Sequence, residues 1–164
     1  MRQSVAATVT WQREVPESIR ALDTFDHADY ADLFSAPSDS VAGMEPAQIA
    51  TTMLRPSSLR MRMVMLAAHL VQRYVLGLGR APLPASPRLY GWRFAGGGDD
   101  WLRLEAESPL MSGHIVMQRG ERELLFATFV RYNRRLGALV WPPVSRLHRR
   151  VGLALMRHAV RALP

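Results

Sequence analysis

A chain of 164 residues with no cysteine and no lysine, and with 21 arginines against 14 acidic residues, can bury about 70% of its unfolded surface in one domain. Its composition excludes disulfides, thiolate nucleophiles, cysteine zinc sites, and Schiff-base or P-loop lysines. The formal charge of +7 is polarised, with eight arginines and no acid from Arg131 onward and Asp23, Asp26, Asp29 and Asp32 crowded into one early segment; the stacking aromatics or helical and zinc modules that nucleic-acid binding uses do not accompany it.

Residues 1–22 read as an N-terminal extension or extra edge strand to a single domain over 23–163. The first residues hold no apolar stretch long enough for a signal peptide, which gives a cytoplasmic expectation. Asp26 to Ser35 reads as a strand ended by Pro37. A short helix follows from Glu45 to Leu54, stopped by Pro56. Ser57 or Ser58 then caps a longer helix to about Leu76, with Gly77 and Gly79 as stop signals. Along it Leu59, Met63, Leu66, Ala67, Leu70, Val71 and Tyr74 form the expected core stripe. His69 falls opposite, with Arg62, Gln72 and Arg73, and is expected in water. Met61, Met65 and Ala68 lie off the stripe, as a dimer contact or a further cavity wall, so monomer and homodimer both stand. Arg60, Arg62, His69 and Arg73 interrupt the longest apolar candidate short of the roughly 18 residues of a membrane span. No stable insertion is expected; weak surface contact is allowed.

The proline-rich 81–87 stretch reads as a linker. Beyond it, Tyr90 to Ala95 and Trp101 to Ser108 form strands joined by GGGDD, whose glycines are expected to supply positive φ. A strand follows that triple glycine, so it is not a phosphate loop, which would open a helix. Strands over Gly113 to Arg119 and Glu123 to Asn133 complete an antiparallel meander. Last comes a basic amphipathic helix: at about 100° per residue Arg146, Arg150, Arg157 and Arg161 share one stripe. Val144, Val151, Leu155, Met156, Ala159 and Leu163 share the other, and His148 sits in its middle. This order implies an α+β helix-grip fold, a curved antiparallel sheet around a long C-terminal helix, with two helices between the first strand and the rest.

DYADLF at 29–34, LVQRYVLGLG at 70–79 and TFVRYNRRLGALVWPPVSRLHRRVGLALMRHAV at 128–160 resemble a bacterial family of uncharacterised domains. Its members occur alone or fused behind NAD(P)-binding short-chain-dehydrogenase-like domains, and are similar in fold to the START-like, polyketide-cyclase (SRPBCC) superfamily. The matching positions are Thr128, Asn133, Gly137, Trp141, Pro143, His148 and Arg149. Where the family has Pro-Phe-His, this chain has Arg146, Leu147 and His148. The resemblance implies a START-like fold without assigning an activity.

No serine sits in a glycine-flanked elbow. His27 with Asp29 is only a pair, short of a metal set. No metal or cofactor is expected. Glu105 and Glu107 share a strand face with Trp101 and Arg103, and either face water or, if the sheet curls the other way, line a cavity as acid or base. Phe126 and Thr128 lie on one face of the last strand and Phe129 on the other, with either face free to meet the helix. Tyr132 or Asn133 could reach the helix start and hydrogen-bond an inward His148, which makes these three the catalytic candidates. Tyr30, Trp92, Phe126, Thr128, Phe129, Trp141 and Leu155 are the candidate substrate walls, and a hydrophobic small molecule is the implied partner. Two readings stand: a cofactor-independent cyclase or isomerase of polyketide-like metabolism, and a non-catalytic carrier or sensor. His148 as a satisfied core histidine stands beside both.

Overall fold

A computed structural model of the chain describes residues 8–55, 58–78 and 88–163. The elements are β1 (Thr10–Gln12), α1 (Glu17–Arg20), β2 (Tyr30–Pro37), α2 (Pro46–Leu54) and α3 (Leu59–Leu70), which runs on into a π turn at Val71–Val75. Then come β3 (Arg88–Leu89), β4 (Trp92–Gly97), β5 (Trp101–Glu107), β6 (Met111–Arg119), β7 (Glu123–Tyr132) and α4 (Arg135–Ala162). The strands form one sheet in the order β1-β2-β7-β6-β5-β4-β3, every neighbouring pair antiparallel. The fold is α+β, an antiparallel sheet with a long C-terminal helix. The 81–87 stretch, Pro56, Ser57 and Gly79 lie outside the described residues.

Register assigns the two faces. Tyr30, Asp32 and Phe34 pair with Val130, Thr128 and Phe126, and Ile115 and Met117 pair with Thr128 and Phe126 in turn. Since side chains alternate along a strand, these residues share one face. α4 and α2 pack there, around Phe34, Ile49, Met117, Leu155 and Met156. The other face carries Ala31, Leu33, Val116, Ala127 and Phe129 under α1 and the segment after it, including Ile19 and Phe25. The sheet is therefore covered on both sides, which explains why β7 is apolar on both faces. β2 starts at Tyr30 rather than Asp26 because the residues before it are engaged elsewhere. Asp29 accepts the Tyr132 backbone N–H at 2.6 Å, and Phe25 lies on the outer face.

α4 begins about two turns before the tandem prolines and runs through Pro142 and Pro143. Interior prolines delete i→i−4 bonds from the ladder. Here the carbonyls left over belong to Ala138 and Leu139, both exposed, where water can take them. The arginine stripe 146, 150, 157 and 161 is exposed, while Leu155, Met156, Ala159 and Leu163 are buried. Gly152 sets how close α4 comes to the sheet: a Cβ there would lie 2.5 Å from the ring of Phe34.

α3 reverses its expected orientation. Leu59, Met63, Leu66, Leu70 and Tyr74 are exposed, and Met65 on the other side is buried. Apolar residues line both sides of this helix, so periodicity alone did not select the inner one. Ser58 caps it, accepting the Met61 N–H at 3.2 Å. The GGGDD turn also differs from expectation. Among the described glycines only Gly43, Gly77 and Gly91 have positive φ. Gly96 and Gly98 instead give room to neighbouring side chains, the Arg103 guanidinium and the Trp101 indole.

Candidate functional site

Between the inner face of the sheet, α3 and α4 lies a cavity of about 150 Å³ with mostly apolar walls. The meander supplies Trp92, Leu104, Ile115, Phe126 and Thr128; α3 and its π turn supply Met65, His69 and Gln72; α4 supplies Trp141, His148 and Leu155. Gln72 fastens the helix to the far edge of the sheet. Its Oε1 accepts the Trp92 indole N–H at 2.9 Å, and its Nε2 donates to the Tyr90 carbonyl at 3.2 Å.

At the wall of this cavity stands a buried carboxylate. The alternation that turns Tyr30 and Phe34 inward turns Asp32 inward as well, and it is completely buried. An ionised carboxylate in such a place survives only if its oxygens are occupied. Asp32 Oδ2 accepts from the Tyr30 hydroxyl at 2.6 Å and from the Trp11 indole at 3.0 Å. Its Oδ1 faces His148 Nε2 at 3.4 Å, and that nitrogen also lies 3.2 Å from Thr128 Oγ1. Burial pushes the Asp32 pKa up, but the hydrogen bond and charge of His148, with Tyr30 and Trp11, outweigh it and hold the carboxyl below its ordinary value. Burial, the Asp32 charge and the hydrogen bond to it raise the Tyr30 hydroxyl well above its own, against the opposing Arg13.

In the neutral tautomer that carries its hydrogen on Nε2, toward Asp32, Nδ1 is a lone pair, and Nδ1 has no hydrogen bond among the described residues. Rings enclose the histidine: Trp141, Phe34 and Tyr30 centroids lie 5.7, 5.7 and 6.5 Å from its own. Among the described residues two polar atoms of the cavity lining are buried without a partner, Trp141 Nε1 and His69 Nδ1. His69 was expected in water and is instead a cavity residue, because α3 is turned over.

The expected site residues divide. His148, Trp92, Phe126, Thr128, Trp141 and Leu155 line the cavity. Tyr30 stands behind it, edge-on to Trp141 at 5.2 Å. Phe129 lies on the outer face in the other cluster, since register pairs it with His114 rather than Ile115. Tyr132 and Asn133 do not reach His148. Tyr132 packs against Gly137, where a Cβ would lie 3.3 Å from the Tyr132 ring. Its hydroxyl is raised by burial and then by Asp29, with Arg13 opposing. Asn133 Nδ2 donates to the Ser108 carbonyl and to Ser112 Oγ at 2.8 and 3.0 Å, tying the end of β7 to the β5–β6 turn. The partner of His148 is Asp32, hidden in the sequence among four crowded acids. The signal that finds it is an acid between Tyr30 and Phe34 at strand spacing, on a face otherwise apolar. Glu105 faces away from the cavity and Glu107 is exposed.

Among the described residues no group of three His, Asp or Glu could hold a metal ion, and no helix is long and apolar enough to cross a membrane. No protein-family model, curated protein or solved structure matches the chain.

Proposed function

We propose that the protein binds a small hydrophobic molecule in this cavity and rearranges it by acid–base catalysis, as a cofactor-independent cyclase or isomerase with a helix-grip, START-like fold. The observation that carries the reading is the fully buried Asp32 carboxylate held against His148 at the wall of an apolar cavity. Burying a carboxylate costs several kcal/mol before its partners repay it, and such groups concentrate at functional sites.

In this reading Asp32 fixes the tautomer of His148 and stabilises its imidazolium. Nδ1 takes a proton from a carbon next to a ligand carbonyl and returns it to another carbon, so bonds rearrange with no net oxidation and no co-reactant. The ring cage excludes water from the reacting atoms. The unpaired Trp141 N–H beside the His148 ring is the donor a ligand carbonyl would take. A second reading, a non-catalytic carrier, draws support from the contact of His148 Nε2 with both Asp32 and Thr128, which also suits a satisfied core histidine.

Native mass spectrometry of the purified protein tests the shared part, and an apolar molecule of fixed mass retained by it is the expected result. A chain that retains none, and whose melting no hydrophobic compound raises, removes both readings. Turnover of that molecule separates them: His148→Ala lowers it at least about tenfold in an enzyme, whereas a carrier shows none to lower.

A further inference from the structure

The outer face of α3 is not needed by the cavity, and its chemistry is unusual. Leu59, Met63, Leu66, Leu70 and Tyr74 are 76%, 60%, 51%, 44% and 66% exposed, while the inner face of the same helix is cavity wall. A helix apolar on both faces is ordinarily covered on both, and an exposed apolar stripe of this length marks a contact surface. At about 100° per residue Arg60 borders the stripe on one side and Arg62 on the other, with Arg73 continuing the second border into the π turn; all three are exposed.

The charge pattern selects the occupant. Between Pro46 and Gly98 the chain has seven arginines and no acid. A twofold contact between two copies through this stripe would set arginine borders against arginine borders with no acid of the segment to offset them. An anionic bilayer fits both features: the leucines, the methionine and Tyr74 enter the boundary between headgroups and acyl chains while flanking arginines extend to lipid phosphates. We propose that α3 is an interfacial helix that docks the protein on an anionic lipid surface. The inference goes beyond the function proposed above and does not depend on it.

Flotation of the full chain with vesicles of phosphatidylcholine alone, or of phosphatidylcholine mixed with phosphatidylglycerol, tests it. The expected result is binding to the mixed vesicles at least about tenfold above the neutral ones, weakened by salt. Leu66→Glu/Leu70→Glu removes that binding at least about tenfold, and Arg62→Gln/Arg73→Gln lowers it several-fold. Both pairs are exposed, so their circular dichroism and melting stay near wild type, confirming that the fold is not the cause. Equal or absent binding to the two vesicle types overturns the proposal. So does binding that survives Leu66→Glu/Leu70→Glu, which assigns it to the arginines of α4. Sedimentation showing a dimer that the same pair dissociates gives the stripe to a second copy and overturns the proposal as well.

Discussion

The sheet carries a buried aspartate–histidine pair on each face, and the two are built to different ends. On the inner face Asp32 and His148 stand 3.4 Å apart, the acid sealed and the histidine side chain, one of the cavity's lining residues, 18% exposed. On the outer face Asp23 Oδ1 and His114 Nδ1 are 2.5 Å apart and both side chains are 5% exposed. His114 lies flat on Phe25, centroids 3.6 Å apart, and its Nε2 is 3.8 Å from Glu105 Oε1. Glu105 is in turn held by Arg93 and Arg103, and Arg103 reaches the Leu22 carbonyl. Both nitrogens of His114 face carboxylates, and an aromatic ring covers it. The outer pair staples the segment before β2 to the sheet; in the inner pair the second histidine nitrogen has no hydrogen bond among the described residues. Burial of an Asp–His pair does not by itself distinguish a site from a fastening; what differs is the second histidine nitrogen, set against Glu105 in one pair and unbonded among the described residues in the other.

The largest expected effect comes from breaking the staple. His114→Ala leaves Asp23 buried and unpaired, and truncating one partner of such a pair costs about 3 kcal/mol. Urea unfolding should show the loss, while ligand affinity of the folded protein stays within about twofold. A tenfold fall in affinity with an intact fold would place the outer pair in the site and end the distinction.

Next in size is Asp32→Asn, which keeps the shape but not the charge, and costs about 2 kcal/mol at neutral pH through the weakened contacts to Tyr30, Trp11 and His148. Because the folded carboxyl is held below its ordinary value, its stabilisation is complete above the unfolded value of about 3.9 and fades as the pH falls through the lower folded one. The stability gap between wild type and variant should narrow on acidification. Urea midpoints at pH 7 and pH 3 measure it, and a gap that widens in acid contradicts an ionised Asp32 in the folded chain.

The comparison also shows what a sequence can disclose. α4 was legible because arginines mark only one of its sides, so the inward direction of His148 followed from spacing. α3 was not, because Leu59, Met63 and Leu66 on one side match Met61, Met65 and Ala68 on the other, and only the tertiary packing chooses. The strands of the meander followed from alternation and turns. The partner of His148 did not, since Asp32 lies more than a hundred residues away and adjoins β7 only through the β2–β7 register. Tyr132 and Asn133 were nearer in sequence, but they lie at the C-terminal end of β7 and just past it, four and five residues beyond the His148 contact at Thr128, and Asn133 is taken up by Ser108 and Ser112.

A smaller effect is expected at His148 itself. His148→Ala leaves Asp32 its bonds to Tyr30 and Trp11, so the stability loss is smaller than at His114, and under the proposed enzyme reading turnover falls at least about tenfold, equivalent to roughly 1.4 kcal/mol in the barrier. Tyr132→Phe, at a residue that does not touch the pair, should leave turnover within about twofold. Equal losses in the two variants would detach the chemistry from the Asp32–His148 geometry.

The smallest effect carries the most specific sign. Trp141 is 6% exposed and its Nε1–H is buried without an acceptor among the described residues, an arrangement that costs the folded chain about 1 kcal/mol or more. Trp141→Phe removes that donor and keeps an aromatic ring against Tyr30 and His148, at the expense of some packing volume. If the donor serves only the core, the variant gains or loses stability by under about 1 kcal/mol and binds the ligand unchanged. If it serves a ligand acceptor, the apo melting temperature holds or rises while ligand affinity drops by about fivefold, corresponding to one lost hydrogen bond of about 1 kcal/mol. Thermal melts with and without the co-purified molecule read both quantities on one sample. Opposite signs place the indole N–H in the cavity's chemistry; parallel losses make Trp141 a wall and leave His148 as the polar group that meets the ligand there.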